Sequence, residues 1–266
     1  MRFHLSVVAV IAAMLPIAAY AGAWTQDAGK GQIIINGLYY NTDRLYNNQG
    51  NKTSQTTYTK YELNPYLEYG WTDDITVGAN LSLQRADQSS NTNWGFGDSE
   101  FFLRKRLWQQ DGFVLSAEPM IKLPSPEGAR ETPQLGGSHP DAGLGLSAGY
   151  GFSAWGLNHF ANLDAGYRYR FGQPENQIKL AGTLGIATAP RWMIMPQLFA
   201  TYRANTPSTV TFTQSSGDDY NLVKLQLSTV YQLQDDLSLQ AGGFSHAEGK
   251  NVGAGSGLFM AVWKKF

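Results

Sequence analysis

Along most of the chain apolar and polar residues alternate one for one, the period of a β-strand with one face against an apolar medium. Twelve such segments predict twelve strands, near 31–41, 57–70, 75–86, 94–108, 113–123, 141–150, 157–171, 176–187, 192–203, 219–231, 237–246 and 255–266. In the second, Tyr61, Leu63, Pro65, Leu67 and Tyr69 oppose Lys60, Glu62, Asn64, Tyr66 and Glu68. In the seventh, Leu163, Ala165, Tyr167 and Tyr169 oppose Asn162, Asp164, Arg168 and Arg170. The connections alternate as well. Those at Trp71–Asp74, Gln109–Gly112, Gly151–Gly156, Thr188–Arg191 and Gln232–Asp236 are tight, whereas Thr42–Gln55, Pro124–Pro140 and Ala204–Asp218 are long; the seventh, Gly172–Glu175, is short and breaks the contrast. Long loops gathered at one end, with an even strand count, predict an all-β, 12-stranded antiparallel up-and-down barrel that crosses a membrane.

Composition sharpens this picture. The 266 residues include 14 Tyr, 13 Phe and 7 Trp with only 15% charged residues, yet the mean hydropathy is −0.30. A chain entering lipid as alternating strands has such a balance, because each strand hides a polar face. Outward aromatics fall in two bands: Tyr61, Tyr167, Tyr169 and Tyr202 near one end, and Tyr69, Trp71, Trp192, Tyr231 and Phe266 near the other. A net charge of −1 gives no electrostatic call for nucleic acid. Zero cysteines suit an oxidising compartment.

The N-terminus reads as a secretory signal over 1–21. Arg2 and His4 precede an apolar run from Leu5 to Ala19, and small-x-small sites at Ala19–Ala21 and Ala21–Ala23 place the mature start at Gly22 or Trp24. Residues 22–266 then form a single barrel domain.

The last strand, Leu258 to Phe266, resembles the closing strand of bacterial outer-membrane barrels, whose terminal Phe is read by the insertion machinery. Leu258, Met260, Val262, Lys264 and Phe266 share its lipid face, and Lys264 reaches the interface by snorkelling. Further segments resemble the outer-membrane family named for the MetA pathway of phenol degradation. These are the turn Tyr69-Gly-Trp-Thr-Asp-Asp74, Gly95-Phe-Gly-Asp98 followed by Lys105, and Met120-Ile-Lys-Leu-Pro124. Ser125-Pro126 and the flanking Arg104 and Arg106 depart from that pattern. The resemblance implies a bacterial outer-membrane location among lipid and lipopolysaccharide, and passive uptake of small organic solutes, apolar or aromatic, with no cofactor. A non-conducting structural barrel and an outer-membrane lipolytic enzyme are the other classes weighed.

The inward faces hold the candidate functional residues. Asp98, Glu100, Arg104 and Arg106 on the fourth strand face Glu118 and Lys122 on the fifth; a tight turn at 109–112 sets the register so that Glu100 meets Lys122 and Arg104 meets Glu118. Such pairs either orient a solute or hold the wall rigid. Arg168, Arg170, Lys179, Arg203 and Lys224 form a cationic level near the long-loop end, which either selects anions or is neutralised by loop carboxylates and lipopolysaccharide. Apolar side chains also point inward: Phe96, Phe102, Met120, Phe160, Met193, Met195, Phe199 and Phe244. They line a route for apolar compounds or pack beneath a plug made from Trp24–Lys30 or an infolded loop. Catalysis is not expected. Ser245 and His246 point to opposite faces, Ser138-His139 lacks a third partner, His159 faces lipid, and no Gly-x-Ser-x-Gly elbow occurs. No His or carboxylate cluster has metal-ligand spacing.

Overall fold

A computed structural model describes residues 22–125, 132–137, 139–172, 174–204 and 219–266; the expected signal segment 1–21 and Ser138 lie outside the described residues. Twelve antiparallel strands form a closed barrel: β1 (Gly31–Tyr46), β2 (Lys52–Thr72), β3 (Ile75–Asn80 and Leu83–Gln88), β4 (Asn91–Phe96 and Ser99–Gln110), β5 (Phe113–Leu123), β6 (Asp141–Ala154), β7 (Leu157–Arg170), β8 (Gln177–Ala189), β9 (Trp192–Arg203), β10 (Asn221–Gln234), β11 (Leu237–Lys250) and β12 (Val252–Gly253 and Ser256–Lys265). Each strand pairs with its sequence neighbours. β12 closes the ring on β1, with Ile34 opposite Trp263.

At one end every hairpin turns in two residues, at Asp73-Asp74, Asp111-Gly112, Trp155-Gly156, Pro190-Arg191 and Asp235-Asp236. Asp111 and Trp155 have φ of 50° and 53°, each followed by a positive-φ glycine, the backbone of a tight hairpin turn matched to strand twist. This end is the periplasmic one in outer-membrane barrels. The expected long first connection is instead mostly strand. A bulge at Thr42–Arg44 carries β1 on to Tyr46, opposite Lys52, so only residues 47–51 remain as a turn. The bulge absorbs the register change that interrupts the alternation, which is why the pattern alone ends the strand early.

Two interruptions have separate causes. β3 breaks at Leu81-Ser82, where Leu81 donates to the carbonyl of Pro65 and Pro65 has no N–H to return. β4 breaks at Gly97-Asp98, and the pairing with β3 shifts by one residue from Asn80–Glu100 to Leu83–Phe96. A one-residue slip exchanges the faces. Phe96 therefore points outward at 65% exposure, contrary to its expected inward place.

The outer surface is apolar and banded as expected, with aromatic pairs Tyr39–Tyr61 and Tyr169–Phe171 towards the loop end and Trp192–Tyr231 towards the turns. Lys264 forms an ion pair with Asp236 in the neighbouring turn, which accounts for a cation on that face. His159 is buried rather than lipid-exposed: Phe152 and Trp155 cover it, and both ring nitrogens hydrogen-bond to backbone, at Ala154 O and Ala187 N–H.

Candidate functional site: a lumen crossed by the N-terminal segment

Residues 22–30 do not join the sheet. They cross the lumen just inside the turns. Ala23 N–H donates to Asn162 Oδ1 on β7 (2.9 Å), and the Ser116 hydroxyl on β5 donates to the Ala23 carbonyl. Gln26 N–H donates to Thr76 Oγ1 on β3 (2.7 Å), and Gly29 N–H to the Gly70 carbonyl on β2 (2.9 Å). The Trp24 ring packs edge-on to Phe160 (centroids 5.8 Å apart) beside Met193 and the buried cluster of Met195, Val230, Ala261 and Trp263. Of the two expected origins for a plug, the segment Trp24–Lys30 supplies this one. The backbone seat depends on glycine: a Cβ on Gly70 would lie 2.1 Å from the Asp27 carbonyl oxygen, and one on Gly149 would lie 2.6 Å from the Trp24 ring.

Below the lumen centre, Arg104 is the hub of a buried charge cluster. It is 3% exposed and bridges two carboxylates, Glu68 on β2 (Nη1 to Oε1, 2.6 Å) and Glu118 on β5 (Nη2 to Oε2, 2.7 Å). Its Nη1 also donates to the Trp24 carbonyl (3.1 Å), and Gln26 Nε2 donates to Glu68 Oε2 (2.7 Å), so the cluster holds the N-terminal segment from both sides. The Arg104–Glu118 contact is the expected one. The alternation placed Glu68 inward without showing that it is the more deeply buried partner, fully shielded from solvent. Arg106 lies opposite Ser116 and makes no ion pair among the described residues, while Asp164 accepts from Asn162 Nδ2 (2.6 Å) beside the segment.

A second cluster lies towards the loop end and corrects two expectations. Glu100 and Lys122 stand opposite each other in register, but they do not form an ion pair. Lys122 reaches Asp98 (3.1 Å) and Asp141 (3.2 Å), and Glu100 reaches across to Arg168 on β7 (2.6 Å). Asp141, opposite Lys122 on β6 and 3% exposed, draws the lysine away and also approaches Arg168 (3.7 Å) and Arg170 (3.5 Å). Arg170 further meets Asp219 (3.4 Å), and Arg203 meets Glu175 (3.8 Å). The expected cationic level is thus largely neutralised by wall and loop carboxylates. Lys179 and Lys224 alone of those five form no ion pair among the described residues. Asp98 also accepts the N–H groups of Ser125 and Gly137, which ties the described part of the fifth connection to the wall.

Several inward side chains have a structural duty. Phe102, Phe160, Phe244 and Met120 stand opposite Gly78, Gly185, Gly257 and Gly143 on neighbouring strands and lie over them, filling the space a side chain would take. On the other side of the lumen, above the N-terminal segment, these walls leave a cavity of about 970 Å³. Its floor includes Trp263 and Met195, its sides Tyr40, Tyr58, Phe199 and Phe244, with Gln197, Gln226 and Asn36 among the polar groups. Lys60 and Glu62 pair within it at 2.6 Å. Among the described residues no group of three or more His, Cys, Asp or Glu is placed to hold a metal.

No protein-family profile matches the chain, and no curated protein matches its sequence. Solved structures share the fold. An outer membrane channel from Pseudomonas putida F1 superposes with a TM-score of 0.71 at 15% identity, over 93% of this chain and 99% of that one. The KdgM porin gives 0.55 at 8% identity over 88% and 99%, and the NanC porin 0.54 at 9% identity over 88% and 100%. At such identities the likeness is one of fold, and that fold is the 12-stranded barrel of outer-membrane channels and porins.

Proposed function

We propose that this barrel resides in the bacterial outer membrane and mediates passive uptake of small organic solutes, with apolar or aromatic compounds as the preferred class. The observation that carries this reading is the lumen cavity, whose lining combines aromatic side chains with amide groups. A pore for hydrophilic solutes has little use for Tyr40, Tyr58 and Phe199 on its wall, whereas ligand sites combine apolar walls with a few placed polar groups. The resemblance to the phenol-degradation family points the same way. In this account solutes enter from the loop end, occupy the cavity, and leave past residues 22–30 when that segment shifts.

A second reading, a non-conducting structural barrel, is favoured by the number of hydrogen bonds that hold the N-terminal segment and by the matched charges around Arg104 and Asp141. Uptake separates the two. Vesicles carrying the refolded barrel should accumulate L-phenylalanine, which crosses lipid slowly, faster than sorbitol of similar size. Equal rates for the two solutes would remove the aromatic preference, and no uptake above protein-free vesicles would favour the structural reading.

A further inference from the structure

We propose that the lumen cavity is a binding site for a carboxylate joined to an apolar body, with Lys224 as the residue that receives the carboxylate. The inference rests on the cavity reading above and names the ligand class for that site.

Lys224 projects into the cavity from β10, opposite Phe199 on β9 and His246 on β11. Its ammonium lies 4.3 Å from the centroid of Phe199 and 5.4 Å from that of Phe244. An ammonium has three N–H donors and no acceptor, and ring faces satisfy its charge only in part. Among the described residues it has no hydrogen-bond or ion-pair partner. The other charged residues on the cavity wall, Lys60 and Glu62, are committed to each other at 2.6 Å. Glu62 Oε1 further accepts from Asn64, Ser82 and Gln84. Among the described residues the wall therefore carries one positive charge more than its negative charges match, held between two aromatic rings.

No neighbouring acceptor among the described residues lies within hydrogen-bond distance of the ammonium. His246 Nδ1–H donates to the Gly253 carbonyl at 2.7 Å and its ring packs on Tyr40, while the Gln226 amide donates to Gln197, which donates to Thr183. A partly desolvated ammonium without an anion is costly, and a carboxylate oxygen is the complementary group. The same two rings that flank the ammonium would cover the first carbons attached to such a carboxylate. An apolar acid matches both features at once, whereas a small inorganic anion would use only the charge.

The test uses the intact barrel in lipid nanodiscs, with 4-phenylbutyrate and its neutral counterpart 4-phenyl-1-butanol as probes, and binding followed by tryptophan fluorescence. The expected result is roughly tenfold tighter binding of the acid. In Lys224→Met the acid should fall to the level of the alcohol while the alcohol is unaffected, and Lys224→Arg should keep the preference. Acetate should compete poorly. An acid preference that persists in Lys224→Met, absence of any preference in the native chain, or competition by acetate as strong as by 4-phenylbutyrate would each overturn the assignment. Should Lys224→Met fail to fold, Lys224→Gln provides the same comparison. Because binding is read at equilibrium, acid binding without uptake in vesicles would leave this site standing and remove the transport role.

Discussion

Replacing Arg104 with Met is expected to destabilise the barrel by about 3–5 kcal/mol, the cost of leaving a buried charge without its partner. Glu68 is fully shielded from solvent and Glu118 is partly so, and Arg104 is the cation that contacts both. Without it, the Glu68 carboxylate is left buried with only the neutral donors Gln26 and Tyr66 as hydrogen-bond partners. Urea unfolding of the refolded barrel, followed by its heat-modifiable mobility on a gel, measures the loss. Glu118→Ala should cost clearly less, because its side chain is 28% exposed and Arg104 keeps Glu68. The double change Arg104→Ala and Glu118→Ala should lose little more than Arg104→Ala alone, since the two residues share one interaction. Adding Glu68→Gln to Arg104→Met should recover part of the stability, because it removes the stranded charge. Strictly additive losses, or a silent Arg104→Met, would contradict the hub.

The second large effect concerns conductance. A chain that begins at Gly29 lacks the residues that cross the lumen, and in a planar bilayer it should give discrete current steps several times larger than those of the chain from Gly22. The segment is held by contacts to β2, β3, β5 and β7, so its loss opens the turn end while the closed sheet remains. Gly70→Val provides an independent route to the same state. Its side chain would occupy the position of the Asp27 carbonyl, which would unseat the segment without shortening the chain. Steps of equal size in all three chains would mean that residues 22–28 do not limit the pore.

Much of the barrel was legible in the alternation, because a strand with lipid on one face and a polar lumen on the other writes its period directly into the sequence. The twelve segments and the five tight turns correspond to observed elements, and the β4–β5 register brought Arg104 to Glu118 as expected. Misreadings arose where the backbone slips by one residue. At Gly97-Asp98 the shift turned Phe96 outward, and at Thr42–Arg44 a bulge extended a strand through an apparent loop. Partners across the lumen were also hidden. Glu100 meets Arg168 on a strand that is not its neighbour, and Arg170 meets Asp219 in a distant connection, so no hairpin arithmetic reaches either contact. The seat of the N-terminal segment left one trace: the inward glycines 70 and 149, positions where a strand gives up packing so that another part of the chain can approach.

The central claim is that solute passes through the lumen and past residues 22–30. A reversible lock tests it most directly. The chain has no cysteine, and a Cβ on Gly22 would lie 2.8 Å from Asn162 Cγ, the position a cysteine sulfur takes at residue 162, so Gly22→Cys with Asn162→Cys suits a disulfide. In vesicles the oxidised double variant should stop accumulating L-phenylalanine, and a reductant should restore the native rate. Uptake that continues unchanged with the disulfide formed would contradict the account, placing the exit somewhere other than the turn end of the barrel.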